Sequence, residues 1–315
     1  MFFLILTEYF INNVSMMKKH IFLVALMFPL IGFSADMTKG SDINNDQPLA
    51  KSVVWELSGL NIEQPSYLVG TIHMMCDKDF SIDPRIHQAL AHSEQLYLEV
   101  DLDDPEVQQN MMNAMVAKDS LTTRFSAQQY AQFAEFLEQH SQYKIEMFEQ
   151  LEYVGIMSTL AMESLTCSEI KMLDRELMVL AQKSDLPVYG LETVAEQMKV
   201  FAIMNPKKGV LMTEQDMAML IGLEQNITDI NEVYQQEDID ALLKLLSVYP
   251  GSAENWDELK RALLDDRNKK WVAKIPGIAQ EKATVFAFGS GHLAGEHGVI
   301  RLLREAGLTV TPVMK

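Results

Sequence analysis

Short apolar runs and amphipathic stretches alternate along most of the chain. Val53–Leu57 and Ser66–Gly70 have the length and composition of strands. Pro84–His92 is predicted as a helix, with Asp83 as N-cap and Pro84 at its first position. Gln95–Asp101 is the next strand, and strand, helix and strand in so short a span imply a parallel crossover unit. From Pro105 to about Leu180 the pattern turns helical, with i, i+3, i+4 apolar spacing behind a Ser126 cap. Asp174–Lys183 is a further helix and Leu186–Gly190 a strand. Residues 193–248 are again largely helical and rich in Met and Leu, the Met residues reading as core filler. Trp256–Lys274 is predicted as a helix, Thr284–Phe288 as a strand, Gly295–Ala306 as a helix stopped by Gly307, and Thr309–Val313 as a closing strand.

Two segments echo each other. Tyr67–His73 and Phe286–His292 are each an apolar strand followed by Gly-x-x-His, a helix and a second strand. This pattern predicts an α/β fold with a mainly parallel sheet built from two related β-α-β units, and a large helical insertion at about 104–250. In such a sheet ligands bind outside the carboxyl ends of the strands. His73, Glu99, Glu192 and His292 all fall at or just past predicted strand ends, so four segments deliver two imidazoles and two carboxylates to one edge.

The N-terminus changes the picture of where the protein works. Met17-Lys18-Lys19-His20 precedes the apolar run Ile21–Phe33, which is too short to span a bilayer comfortably and ends in small residues suited to signal-peptidase cleavage after Ser34 or Ala35. Residues 1–34 therefore read as a signal peptide whose true start is Met16 or Met17, with an uncleaved membrane anchor as the alternative. Residues 35–50 read as a polar linker, and 51–315 as the folded domain, placed in the periplasm or secreted. No other stretch is apolar for long enough to cross a membrane, so no stable membrane insertion is expected once the leader is removed. The formal charge of −18 repels phosphate backbones and argues against nucleic acid as a partner. The two cysteines, Cys76 and Cys167, form one disulfide in an exported chain and remain isolated thiols in a cytosolic one.

Burying Glu99 within the apolar Leu96–Val100 run is costly without a metal or cation beside it. Two imidazoles and a carboxylate, His73, His292 and Glu99, form a ligand set suited to a divalent zinc, manganese or iron ion. A carboxylate not used as ligand, such as Glu192, is then available as general base. Arg267 either stabilises a developing oxyanion or forms a surface ion pair with Asp265 or Glu258. His297 reads as a capping or supporting residue. The glycines Gly70, Gly289 and Gly291 allow tight turns and close approach of a ligand to the backbone.

The motifs Leu68–His73, Leu96–Asp101, Val188–Thr193, Asp266-Arg267-Asn268 and Phe288–Gly298 together resemble the TraB/GumN (PrgY-like) family, over about Val53 to Val313. That family is related to the Tiki metalloproteases and more distantly to erythromycin esterase (EreA) and haem-binding ChaN-like proteins. The resemblance implies a three-layer α/β/α fold and a metal-dependent hydrolase site. His73 and His292 match the two Gly-x-x-His histidines, Glu99 the glutamate and Arg267 a recurrent arginine. The reading this supports is a periplasmic metallopeptidase acting on a peptide or protein substrate, with Glu99, Glu192 and Arg267 in catalytic roles. The rivals are a non-catalytic protein that sequesters peptide or haem in the same crevice, and a structural partner using its Met-rich helices as an oligomer surface.

Overall fold

The computed structural model describes residues 48–315 except 60, 166, 168, 205–216, 218, 219 and 248–255. The expected leader, nearly all of the expected linker and part of the Met-rich stretch lie outside the described residues. Two compact units are present. One comprises Asp104–Cys167 and Val194–Asn226; the other holds the residues up to Asp103, Ser168–Thr193 and Ile227–Lys315.

The second unit is built on a six-stranded sheet of order β6-β4-β7-β2-β1-β8. Its strands are β1 (Val54–Gly59), β2 (Ile62–Thr71), β4 (Gln95–Leu98), β6 (Val188–Gly190), β7 (Thr284–Gly289) and β8 (Thr309–Pro312). A separate pair, β3 (Met75–Cys76) and β5 (Ile170–Lys171), runs antiparallel. The neighbours β6, β4, β7 and β2 are all parallel, and β1 runs antiparallel to both β2 and β8. The β1–β2 hairpin turns on Gly59 (φ 93°) and Asn61 (φ 66°), residue types that tolerate the left-handed region. Central β7 is buried at every position, as expected of a strand paired on both edges and covered on both faces.

Helices complete the three-layer α/β/α arrangement. Those of the sheet unit are α1 (Pro84–Ala91), α5 (Leu173–Lys183), α8 (Ile239–Leu246), α9 (Trp256–Lys260), α10 (Asp266–Val272), α11 (Ile275–Glu281) and α12 (Val299–Glu305). Helix α1 packs on β2 and β7, α5 on β4 and β6, α11 on β2, and α12 on β8. The sheet core includes Trp55, Leu57, Leu68, Leu96, Val285, Phe286 and Phe288, all sealed from solvent. Each such side chain contributes roughly 1.5–3 kcal/mol of burial free energy, which is what holds the strand ends, and the site they carry, in register.

The other unit contains α2 (Pro105–Ala114), α3 (Ala127–His140), α4 (Tyr153–Ser164) and α6 (Val194–Met204). A capping box starts α3: the Ser126 hydroxyl accepts from the Gln129 backbone while the Gln129 side chain accepts from Ser126. Phe125, Phe133, Phe136 and Phe148 form its aromatic core. Helix α7 (Leu223–Gln235) spans the boundary in sequence. Among the described residues no helix is long and apolar enough to cross a membrane.

Several boundaries differ from expectation. The strand expected over Gln95–Asp101 ends at Leu98, so Glu99 sits just beyond it and need not obey strand alternation. The helix expected over Trp256–Lys274 is interrupted by a π-helical turn, Arg261–Asp265, where one extra residue widens the spiral before Arg267. The helix expected from Gly295 begins at Val299. The two Gly-x-x-His units are interleaved, with β7 lying between β2 and β4. Both cysteines are disulfide-bonded, and the β3–β5 pairing aligns Cys76 with Ile170.

Candidate functional site

Because β2 and β7 are parallel neighbours in a register that sets Gly70 against Phe288 and Thr71 against Gly289, the histidines that follow them leave adjacent strand ends. Strand β4 flanks β7 on its other side, and Glu99 follows it directly. The chain after β6 continues the pairing, with Leu191 N–H donating to Leu98 O at 2.8 Å and Glu192 N–H to Glu99 O at 2.9 Å. The last contribution comes from α10, where the preceding π-turn sets Arg267 and Asn268 facing the sheet end.

Arg267 is the centre of the arrangement and is 2% exposed. Its Nη2 donates to Glu99 Oε2 at 2.5 Å and to Glu192 Oε1 at 2.6 Å. Its Nε lies 3.1 Å from both Glu192 oxygens, and its Nη1 donates to Leu263 O at 2.9 Å, inside the π-turn. The same Nη1 lies 3.1 Å from His292 Nε2. Beneath it, the Trp271 ring sits 4.7 Å from the guanidinium carbon and 4.5 Å from the His292 ring. The surface-pair alternative for Arg267 is therefore wrong. Asp265 instead approaches Lys260 at 3.3 Å, and Arg267 is the buried counter-ion of two carboxylates.

Each histidine is held at Nδ1 by a different acceptor. His292 Nδ1 donates to Asn268 Oδ1 at 2.6 Å; the Asn268 amide nitrogen donates to the His297 carbonyl at 2.8 Å, which fixes the orientation of the amide. The His292 tautomer follows: Nδ1 carries the proton and Nε2 accepts from Arg267. His73 Nδ1 lies 3.0 Å from Asp174 Oδ2, and the other Asp174 oxygen accepts from the Thr71 hydroxyl at 2.7 Å. His297 supports the site through its backbone carbonyl.

Gly289 marks where these groups meet. A Cβ placed on it would come 3.2 Å from His73 Nε2, 3.4 Å from Glu99 Oε1 and 3.8 Å from the His292 ring. The Gly289 N–H donates to Glu99 Oε1 at 2.9 Å. His73, Glu99 and His292 thus converge on one point beside a backbone that carries no side chain. Of the three, His73 is the most open, its side chain 18% exposed against 7% for Glu99 and 3% for His292.

The electrostatics separate the two imidazoles. Burial alone would lower the His73 pKa, but the Asp174 charge and hydrogen bond, with Glu99 behind them, raise it to about 9. Burial and then the Arg267 charge push His292 down to about 3, so it is neutral. Burial opposes ionisation of Glu99, yet the Arg267 and His73 charges and the Gly289 N–H hold its carboxyl well below the usual carboxylate range.

The expected metal set does not fit this arrangement. His292 presents its Nε2 lone pair to Arg267, and Glu99 accepts from Arg267 and Gly289. Among the described residues no group of three or more His, Cys, Asp or Glu side chains is disposed to hold a metal ion. Arg267 supplies the cation that the buried carboxylates require.

The sequence reading named His73, Glu99, Glu192, Arg267 and His292, and all five lie in this cluster. It missed Asp174, read only as the start of a helix, and Thr71; Asn268 and Trp271 had no assigned role. Two signals were available: Asn268 adjoins Arg267, and Trp271 follows Arg267 by one helical turn.

The chain is 23% identical over 302 residues to a protein of Nematostella vectensis named "Metalloprotease TIKI homolog", covering 78% of this chain and 64% of that relative's length. No solved structure matches. The TraB/PrgY/gumN family pattern matches residues 53–312, which takes in every strand of the sheet and every member of the site, and the chain belongs to that family.

Proposed function

We propose that the protein is a hydrolase acting on peptide bonds, with His73 as its proton-transfer residue. The observation that carries this is the convergence of His73 Nε2, Glu99 Oε1 and the His292 ring beside Gly289. In its neutral form His73 takes a proton from water at Nε2 and passes it to the leaving nitrogen, while Asp174 steadies the imidazolium formed in between. Glu99, Glu192 and Arg267 provide the fixed charge pattern around the reacting groups, which costs no reorganisation during the reaction. The name of the Nematostella relative supports peptide as the substrate class. The signal-peptide pattern of residues 17–35 and the disulfide-bonded cysteines support action outside the cytoplasm.

A metal-assisted form of the same chemistry is the second reading, favoured by the 3.8 Å separation of His292 Nε2 and Glu99 Oε1 and by the relative's name. It requires Arg267 to withdraw from both groups and His73 to lose its proton.

The test is cleavage of a quenched-fluorescent peptide pool by the purified chain and by His73→Ala. Cleavage lost in the variant supports the proposal. A pool left uncut by the wild type, or cut equally by His73→Ala, overturns it.

A further inference from the structure

We propose that Asp174 is the positioning residue of the site, fixing the His73 ring so that Nε2 points to the space beside Gly289. This rests on reading the site as hydrolytic and deepens it, since it explains why two histidines in matching motifs perform different tasks. Asp174 lies in the first turn of α5 and is 6% exposed. The start of that helix is itself tied to the loop bearing His73, because the Leu173 N–H donates to the Ile72 carbonyl at 3.0 Å. Both Asp174 oxygens then reach back to the same segment, one to the Thr71 hydroxyl at the end of β2 and one to His73 Nδ1 in the loop. Three bonds from two adjacent helix residues thus grip three consecutive residues, Thr71 at the end of β2 and Ile72 and His73 beyond it. A carboxylate held by two donors has little rotational freedom, so the ring it holds has little as well.

The second histidine shows what is specific about this arrangement. His292 is held at the same ring nitrogen, at 2.6 Å, but by the neutral amide of Asn268. Its Nε2 is turned to a guanidinium, whereas that of His73 is turned to the cradle at Gly289. A charged acceptor steadies a ring that gains and loses a proton; a neutral one keeps a ring as a fixed acceptor. Asp174 therefore assigns proton transfer to His73, and Asn268 assigns a static role to His292.

The experiment is nitrogen-15 NMR of the histidine rings in the full chain, as wild type, Asp174→Asn and Thr71→Val, with peptide-pool kinetics on the same samples. In the wild type, His73 Nδ1 should be protonated and show the strongly deshielded proton of a carboxylate hydrogen bond. That resonance should be lost in Asp174→Asn and weakened in Thr71→Val, with the His292 signals unmoved. The kinetics should show kcat lower by about 100-fold in Asp174→Asn with KM little changed. A wild-type His73 unprotonated at Nδ1, or a His73 resonance indifferent to Asp174→Asn, overturns the assignment. The wild-type spectrum decides this even if a variant fails to fold. A wild type that cuts no peptide ends the hydrolase reading, and the ring spectra still decide what orients His73.

Discussion

Arg267 Nη2 bridges Glu99 and Glu192 at 2.5 Å and 2.6 Å, with all three side chains buried. One guanidinium therefore compensates two carboxylates brought in by separate strands, β4 and β6. Only a planar fork with several donors can serve both while also donating to Leu263 O. Arg267→Ala would leave two buried carboxylates without their counter-ion, at a cost of about 3–5 kcal/mol. Arg267→Lys keeps the charge but loses the fork, and should fall between wild type and Ala. Replacing Arg267, Glu99 and Glu192 together by Met, Gln and Gln should recover much of the loss, because no uncompensated charge remains. Urea denaturation at pH 7 checks the series; equal stability of Arg267→Ala and wild type would contradict the compensation described.

Gly289 offers a way to disturb the site without disturbing the fold. Its φ of −50° and ψ of 133° are open to any residue, so an added methyl strains no backbone. The methyl instead meets His73 Nε2 and Glu99 Oε1. Gly289→Ala should keep its melting temperature within a few degrees of wild type. It should lose roughly tenfold to hundredfold in kcat/KM on peptide substrate, since small displacements of reacting groups carry penalties of that size. Unchanged kinetics would show that the reacting atoms lie elsewhere.

The sheet and the four strand-end members of the site, His73, Glu99, Glu192 and His292, were legible because strand-end placement depends on two local signals: an apolar run and a polar residue one to three positions beyond it. Tyr67–His73 and Phe286–His292 show both features plainly. The pairing of those strands was not legible, because the interleaving of β7 between β2 and β4 is decided by packing between distant segments. Asp174 was invisible for the same reason: an Asp in the first turn of a helix has an ordinary explanation in the helix dipole. Its contact to His73 is made across about a hundred residues of chain. The metal expectation followed from donor types, their shared strand-end placement and the family resemblance; only the placement of Arg267 shows where the donors' lone pairs are directed.

Stability and activity should respond to pH in opposite directions on the alkaline side. The folded-state pKa of His73, about 9, lies above its ordinary 6.5. The stabilisation from its protonated form is therefore complete below pH 6.5 and is lost as pH rises through about 9. Glu99 works in the other sense: its pKa is depressed, so its contribution is present above the ordinary carboxylate range and is lost on acidification. The proposed peptide hydrolysis requires neutral His73, so its rate should rise from pH 7 towards pH 9. Urea midpoints for wild type and His73→Asn should converge between pH 7 and pH 10, beside a rate profile that climbs over the same interval. A rate that falls across it would exclude His73 as the base.

The metal question reduces to whether Arg267 stays where it is. An incoming divalent ion must displace a guanidinium from Glu99 and His292 and a proton from His73, and metal binding that releases a proton weakens as pH falls. The wild-type chain, purified without added metal, should hold well below one zinc, manganese or iron per chain by elemental analysis. Its peptide hydrolysis should survive EDTA. Arg267→Ala removes the competing cation and exposes the His292 lone pair, so this variant should bind zinc more tightly than wild type in a calorimetric titration. Stoichiometric metal in the wild type together with EDTA-sensitive cleavage would show that Arg267 yields its place, and would put His73, Glu99 and His292 back in the role of ligands.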